Sequence, residues 1–156
     1  MAQSSSVTTR LTYQHKTLFE LVEKLSDSEI RKQVIPGKWS VFENIVHLAT
    51  YQHTFLHRIE EILNKENPSF QRYTAETDPL FIDALTKPTR EITKDFVSTR
   101  RNITAMINGL KDEHLNRTGV HPAYGVLTLI KWTEFFLLHE AHHLFTIFKL
   151  TCELRK

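Results

Sequence analysis

The pair His139 and His143 has the residue types and spacing best suited to chemistry in this chain. Both lie in a stretch, residues 124–154, that lacks proline, has one glycine at its start and is rich in large apolar residues. This pattern predicts one long helix. Residues four apart on a helix project from the same face, so the two imidazoles could bind one metal ion. Such pairs also arise by chance, and histidines on a mostly apolar helix usually serve only as structural hydrogen-bonding groups.

A second predicted helix, from residue 41 to about residue 65, carries three more histidines that could complete a metal site. It starts with the pattern Ser40-Val41-Phe42-Glu43, in which the serine caps the helix and the glutamate reaches back to the cap. His47 lies off the apolar row of this helix, whereas His53 and His57 form another pair four residues apart. Periodicity alone therefore favours His53 and His57 as readily as His47.

These helices belong to a predicted all-α fold, a four-helix bundle. Residues of about 8–26 form a first helix with a bundle-type stripe that includes His15, and residues of about 88–109 form a third helix. The connection over residues 66–87, with a helical turn near residues 79–85, is long enough to cross the bundle. It would place helices two and three parallel, which gives an up-down-down-up order.

Two further expectations concern the bounds of the fold and its strand content. Residues 1–156 are predicted to form a single domain with an ordered core of about 8–153, a length that suits one hydrophobic core. Residues 111–123 are expected to form a loop, and no stretch alternates polar and apolar residues as a strand does.

The last helix is apolar almost all round, which makes its packing a separate question. One side carries Leu138 and Phe145, and we predict that this side faces the core. The other side carries Leu129, Phe136 and Ile147. Because a bundle helix normally keeps a polar outer face, we predict that this second side packs against another copy of the chain in a homodimer.

Composition excludes several classes of function. The 20 basic and 18 acidic residues give a net charge of +2 and are scattered, which is not the pattern of a nucleic-acid-binding surface. No apolar run is long enough to span a membrane, and the polar start resembles no signal peptide, so a cytoplasmic protein is expected. Cys152 is the single cysteine, so neither an internal disulfide nor a thiolate cluster is expected.

Three segments together resemble the DinB/YfiT-like family. They are Gly-Lys-Trp-Ser-Val-Phe-Glu-Asn-Ile-Val-His-Leu at residues 37–48, His-Pro-Ala-Tyr-Gly-Val-Leu-Thr at residues 121–128, and His-Glu-Ala-His-His at residues 139–143. The resemblance implies an up-down-down-up four-helix bundle that is often a homodimer. It also implies a divalent metal bound by His47, His139 and His143, in preference to His53 and His57.

The resemblance further implies either of two enzyme activities on a small electrophilic substrate, hydrolysis or transfer of a low-molecular-weight thiol such as bacillithiol. Three neutral imidazoles leave a coordination position open, which suits zinc or nickel in a catalytic site. Glu43, one turn before His47, is predicted as the general acid or base, although its role as a helix cap is an equal alternative. We expect His142 to be a core residue or to support the ligands. The alternative to an enzyme is a stress-response module that binds metal or another ligand without turnover.

Overall fold

The computed structural model describes residues 4–156; residues 1–3, the first part of the polar start, lie outside the described residues. The first half of the chain holds these helices: α1 (Ser5–Tyr13), a 3-10 turn (Gln14–Lys16), α2 (Thr17–Val22), α3 (Asp27–Arg31) and α4 (Val41–Asn64). The second half holds a 3-10 turn (Ala75–Thr77), α5 (Pro79–Ala84), α6 (Thr89–Asn108), α7 (Asp112–Leu115), β1 (Thr118–His121), β2 (Gly125–Thr128) and α8 (Leu129–Leu154).

The prediction of a mostly helical four-helix bundle is confirmed. Helix α4 packs against α6 and α8, and the rod formed by α1 and α2 packs against α6 and α8 on the other side. The predicted capping box starts α4: the Glu43 amide donates to Ser40 Oγ at 3.1 Å, and the Ser40 amide donates to Glu43 Oε2 at 2.6 Å. The predicted helical turn after residue 78 is α5, whose cap is Asp78. The up-down-down-up order remains a prediction.

The hydrophobic core is divided into two clusters that follow one another along the bundle. The first cluster lies around the N-terminal half of α4 and the C-terminal half of α8, and it includes Ile45, Phe96 and Ile147. The second lies around the opposite halves of the same helices and includes Phe55 and Phe136. Polar residues, all buried except the half-buried Gln14, occupy the level between the two clusters: Gln14, His15, Gln52, Thr99, Arg100 and Glu140.

The expected loop and the predicted start of the last helix need correction. Residues 118–128 form a two-stranded antiparallel hairpin in which Thr118 pairs with Thr128 and His121 pairs with Gly125. Helix α8 therefore begins at Leu129, five residues after the predicted start, with the Thr128 hydroxyl as its cap. The strands are only four residues long, too short for alternation to be visible in the sequence, and Gly125 has the positive φ of +70° that the turn requires.

The prediction of which side of α8 faces the core was wrong. Leu138 and Phe145 are 58 % and 60 % exposed, whereas Leu129, Phe136 and Ile147 are buried within the chain. The Phe136 ring stacks on the Phe55 ring of α4 with centroids 4.3 Å apart. Both sides are apolar, so periodicity could identify two stripes but could not tell which one α4 and α6 would cover. None of the helices in the described part of the chain has the length and apolarity needed to cross a membrane.

Candidate metal centre

The structure brings together the three histidines implied by the family resemblance. His47 comes from α4, His139 and His143 come from α8, and one ring nitrogen of each lies within 4.8 Å of those of the others. The two Nε2 atoms of His47 and His139 are 3.1 Å apart. The ring centroid of His47 lies 4.3 Å from that of His143, and the centroids of His139 and His143 are 4.8 Å apart. No other group of three potential metal-binding side chains occurs among residues 4–156.

The alternative pair on α4 lies outside this cluster. His53 contacts α6 instead, where its Nε2 atom is 2.8 Å from Asp95 Oδ2. His57 is exposed on the surface of the bundle. The structure thus separates His53 and His57 from His47, which periodicity alone could not do.

A hydrogen bond from Asn44 fixes the orientation of His143. His143 Nδ1 lies 2.9 Å from Asn44 Oδ1, and the Asn44 amide group itself donates to the Ser40 carbonyl at 2.8 Å. Because the Asn44 nitrogen donates to Ser40, the Asn44 oxygen faces His143 and accepts a hydrogen bond from the protonated Nδ1 of that ring. The His143 Nε2 atom is then unprotonated and free to bind a metal. The sequence analysis missed this role, although Asn44 lies three residues before His47 on the same face of α4.

Burial keeps all three imidazoles neutral. It lowers the pKa of His47 to about 2, that of His139 to about 3 and that of His143 to about 4, and neighbouring histidines add a smaller effect in the same direction. At neutral pH the rings therefore carry no charge, and a metal ion does not have to displace protons from them.

The site fits a divalent ion of the zinc or nickel type. Two nitrogens bound to one ion at about 2.0–2.1 Å should be roughly 2.9–3.4 Å apart, depending on the angle between the bonds. The 3.1 Å spacing between the Nε2 atoms of His47 and His139 falls within this range. A set of three neutral imidazoles is also a common ligand set for these metals.

Aromatic side chains surround the cluster. The Trp39 ring lies 5.1 Å from that of His47, the Tyr51 ring lies 4.3 Å from that of His139, and the Tyr73 ring lies 5.7 Å from that of His47. These distances join ring centroids. The rings of Trp39 and Tyr73 form part of the wall of a cavity of about 450 Å³ that is also lined by all three histidines. Trp39 and Tyr51 thus contact the histidines, whereas Trp132 is fully buried in the core.

Two carboxylates lie near the site, Glu43 and Glu76. Glu43 remains one turn before His47, but its Oε2 atom accepts the hydrogen bond of the Ser40 amide in the helix cap. Glu76, in the 3-10 turn after α4, lines the cavity together with the three histidines. No local pattern in the sequence pointed to Glu76, because its position depends on how the long connection folds back over the bundle.

His142 is exposed, which corrects the expectation of a core residue; its role as a support for the ligands remains a prediction. Its ring contacts the edge of the His143 ring, with centroids 5.2 Å apart. On a helix, adjacent residues point about 100° apart, so His142 leaves the site even though His143 belongs to it.

Comparison with known proteins identifies the family. A family model of the DinB superfamily matches residues 10–147. The chain is 26 % identical to the "Putative metal-dependent hydrolase OB0413" of Oceanobacillus iheyensis, with 85 % of this chain and 76 % of the relative covered. It is 28 % identical to the "Uncharacterized protein YuaE" of Bacillus subtilis, with 77 % and 82 % covered.

Among solved structures, the fold is similar to that of YfiT from Bacillus subtilis, described as "a probable metal-dependent hydrolase with an unusual four-helix bundle topology". The TM-score is 0.80 at 23 % identity, over 93 % of this chain and 83 % of that one. Because the family model covers most of the sequence, this chain belongs to the DinB superfamily.

Proposed function

We propose that this protein is a metal-dependent enzyme that acts on a small electrophilic substrate, with a divalent ion, zinc or nickel, bound by His47, His139 and His143. The observation that carries the proposal is the composition of the cluster: three imidazoles meet, and no fourth protein ligand joins them among residues 4–156. Structural zinc sites are usually closed by four protein ligands, whereas catalytic sites keep a position open. Here the cluster also opens onto a cavity, which favours an enzyme over a closed binding module.

The protein's own groups prepare the site for such a reaction. The neutral imidazoles offer lone pairs, and Asn44 holds the His143 ring in one tautomer. The rings of Trp39, Tyr51 and Tyr73 pack against His47 and His139 and contribute to the burial that keeps these imidazoles neutral. When bound, a divalent ion would supply Lewis acidity and lower the pKa of a coordinated water or thiol.

Hydrolysis is the first candidate reaction, supported by the printed descriptions of the Oceanobacillus relative and of YfiT. It requires a group that accepts a proton from water. Glu76 lines the cavity with the histidines, and Glu43 lies one turn from His47 but is held by the helix cap. If Glu76 is the base, Glu76→Gln lowers kcat strongly and leaves metal content unchanged. If the earlier prediction of Glu43 holds, Glu43→Gln has that effect instead.

Thiol transfer is the second candidate, and the shape of the site favours it. His139 lines both the 450 Å³ cavity and a neighbouring cavity of about 530 Å³, and the two cavities meet at Arg72 and Tyr73. Two substrates could therefore lie side by side next to His139, one of them a thiol of the bacillithiol type. A transferase needs such an arrangement, whereas hydrolysis of a small molecule needs only one cavity.

The decisive experiment measures bound metal by elemental analysis of protein purified without a histidine tag. We expect about one ion per chain in the wild type, and a loss of most of it in His47→Ala, His139→Ala and His143→Ala. His53→Ala and His57→Ala are matched controls that should keep the ion. A wild type that binds no zinc or nickel, or triad variants that bind as well as the controls, would refute the proposal. Assays of ester hydrolysis and bacillithiol conjugation on the metal-loaded protein then separate the two reactions.

A further inference from the structure

The cavity of about 530 Å³ next to the histidine cluster has a distinctive chemistry. Its walls are aromatic and cationic, and no aspartate or glutamate lines it: Tyr51, Arg58, Arg72, Tyr73, His121, Pro122, Ala123, Tyr124, Phe135 and His139. By contrast, the cavity between α4, α5 and α6 is lined by charges of both signs: Asp83, Glu91 and Asp95 together with Lys87 and Lys94. The cationic cavity reaches His139, so a ligand in it would also reach the proposed metal centre.

Arg58 is the unusual member of this cavity. It is 5 % exposed, yet no carboxylate forms an ion pair with it among residues 4–156. Arg100, the other deeply buried arginine, forms an ion pair with Glu140. Burying a charge is costly unless it is paired, and this chain pairs Arg100 but leaves Arg58 without an anion.

The Arg58 guanidinium is nevertheless held in a fixed position. Its Nη1 atom donates to the Tyr51 hydroxyl at 3.1 Å, and its Nη2 atom donates to the Gln71 carbonyl at 3.3 Å. Its central carbon lies 5.3 Å from the centroid of the Trp132 ring and 5.6 Å from that of Phe70. Aromatic faces attract a cation without neutralising it. The charge is therefore oriented and still available to an anion.

Two more groups add to the positive character of the cavity. Arg72 is exposed and lines both this cavity and the cavity of about 450 Å³ that the three histidines line. His121 accepts hydrogen bonds at Nδ1 from the amides of Ala123 and Tyr124, at 3.0 and 3.2 Å, which leaves its Nε2 atom as the proton donor. The cavity thus offers several donors to an anion and no competing carboxylate.

We propose that this cavity binds a carboxylate group of the substrate or co-substrate, with Arg58 and Arg72 as its anchors, so that the rest of the ligand lies against His139 and the metal centre. The inference rests on the proposed function for its role in catalysis, but the binding itself can be measured separately. A planar guanidinium matches a carboxylate in geometry, and the aromatic walls suit a flat or apolar ligand body. Arg58 is therefore a specificity-determining residue.

Isothermal titration calorimetry with benzoate and with neutral, equally shaped benzamide tests the proposal, on both metal-free and zinc-loaded protein. We expect the wild type to bind benzoate about tenfold or more tightly than benzamide, as a charge-assisted hydrogen bond would give. Arg58→Gln should abolish this preference. Arg101→Gln is the matched control, because it removes the same charge from an exposed arginine that lies outside this cavity.

Equal affinity for benzoate and benzamide, absence of binding to either form of the protein, or a preference retained in Arg58→Gln would overturn the inference. If Arg58→Gln does not fold, Arg72→Gln replaces it, because Arg72 is exposed and its substitution does not disturb the core. Arg72→Gln should lower the affinity for benzoate at least about threefold. An unchanged affinity would count against the proposal. Zinc content measured on the same samples distinguishes a failure of this inference from a failure of the proposed metal-dependent function. A carboxylate preference without zinc binding refutes the metal enzyme alone, and zinc binding without the preference refutes this inference alone.

Discussion

Asn44 shows how a single side chain prepares the metal centre. Its amide nitrogen is fixed by the Ser40 carbonyl, so its oxygen holds the His143 ring with Nε2 turned away from the bond. Groups that orient a metal-binding histidine typically account for about 10–100-fold in metal affinity. We expect Asn44→Ala to weaken zinc binding by a factor in that range, measured by competition with a chromophoric chelator.

Asn64 at the end of the same helix is the matched control for this measurement. Its side-chain nitrogen donates to the Glu60 carbonyl at 2.8 Å, four residues earlier, as Asn44 donates to Ser40, but it lies far along α4 on an exposed turn. Asn64→Ala should leave zinc affinity unchanged. An Asn44→Ala protein that binds zinc as tightly as the wild type would show that the hydrogen bond to His143 does not support the site.

His15 provides a pH-dependent test away from the metal centre. Burial, and then the charges of Arg100 and Lys16, lower the pKa of His15 to about 4. The unfolded chain, with a pKa near 6.5, takes up this proton at higher pH than the folded chain does. Above about pH 6.5, His15 is neutral in both states and does not oppose folding. As the pH falls from 6.5 toward 4, protonation of the unfolded chain lowers the free energy of unfolding.

We predict that His15→Leu reduces the acid sensitivity of the protein. Between pH 7 and pH 4.5, the free energy of unfolding of the wild type should fall by about 2–3 kcal/mol more than that of the variant, because leucine takes up no proton. Urea titrations at the two pH values measure this difference. Parallel pH profiles for the two proteins would mean that His15 is protonated in the folded state, contrary to its buried position.

At the scale of the elements, the polar level between the two core clusters determines how the helices fit together. Arg100 of α6 forms a buried ion pair with Glu140 of α8, and its Nε atom donates to Gln52 of α4 at 2.9 Å. Gln14, between α1 and α2, donates to the other oxygen of Glu140 at 2.9 Å. One network thus contacts all four rods of the bundle. Glu140, a member of this network, directly follows His139 in the sequence. The network therefore also fixes the position of α8 along its axis relative to α4.

Breaking this network from one side should be more harmful than removing both charges. Arg100→Met and Glu140→Gln should each lower the free energy of unfolding by about 3–5 kcal/mol. Arg100→Met leaves the Glu140 carboxylate buried without its ion-pair partner, and Glu140→Gln does the same to the Arg100 guanidinium. The double variant should lose less than either single variant, since no buried charge remains. Urea unfolding of the four proteins gives the coupling energy, and simple additivity of the two losses would contradict the account.

Local signals in the sequence predicted some elements well and others poorly. The Ser40 capping box predicted the start of α4 correctly, because the cap depends only on residues within one turn. The same locality allowed α5 to be anticipated from the proline that follows Asp78. The hairpin before α8 was missed, since strands of four residues show no periodicity and its partners are distant in the sequence: Val120 exchanges backbone hydrogen bonds with Pro68 and Phe70.

The site itself was predictable only in part. The family resemblance implied His47, His139 and His143, and the structure brings these residues together. Arg58 and Glu76 could not be recognised, because their positions depend on how residues 65–78 fold over the bundle. The core side of α8 was assigned wrongly for a related reason: its two apolar stripes are equivalent in the sequence, and only the neighbouring helices distinguish them.

At the scale of the whole molecule, the exposed apolar side of α8 is now the surface that best fits the predicted homodimer. Leu138, Phe145 and Phe148 are 58 %, 60 % and 47 % exposed and lie on one side of the helix. The rings of Phe145 and Phe148 are nearly parallel, with centroids 6.3 Å apart. Large apolar groups that form a continuous exposed patch mark interaction surfaces more often than scattered ones do. The dimer thus remains a prediction, with its surface moved from Leu129, Phe136 and Ile147 to the opposite side of α8.

We expect light scattering after size-exclusion chromatography to give twice the 18.3 kDa mass of the chain at micromolar concentration. Phe145→Glu should then give a folded monomer, because Phe145 is exposed in the single chain and a carboxylate there is costly only inside an interface. Leu80→Glu, which places the same charge on an exposed apolar residue of α5, is the matched control and should leave the dimer intact. A monomeric wild type would refute the dimer. A dimer that survives Phe145→Glu would show that the chain associates through a different surface.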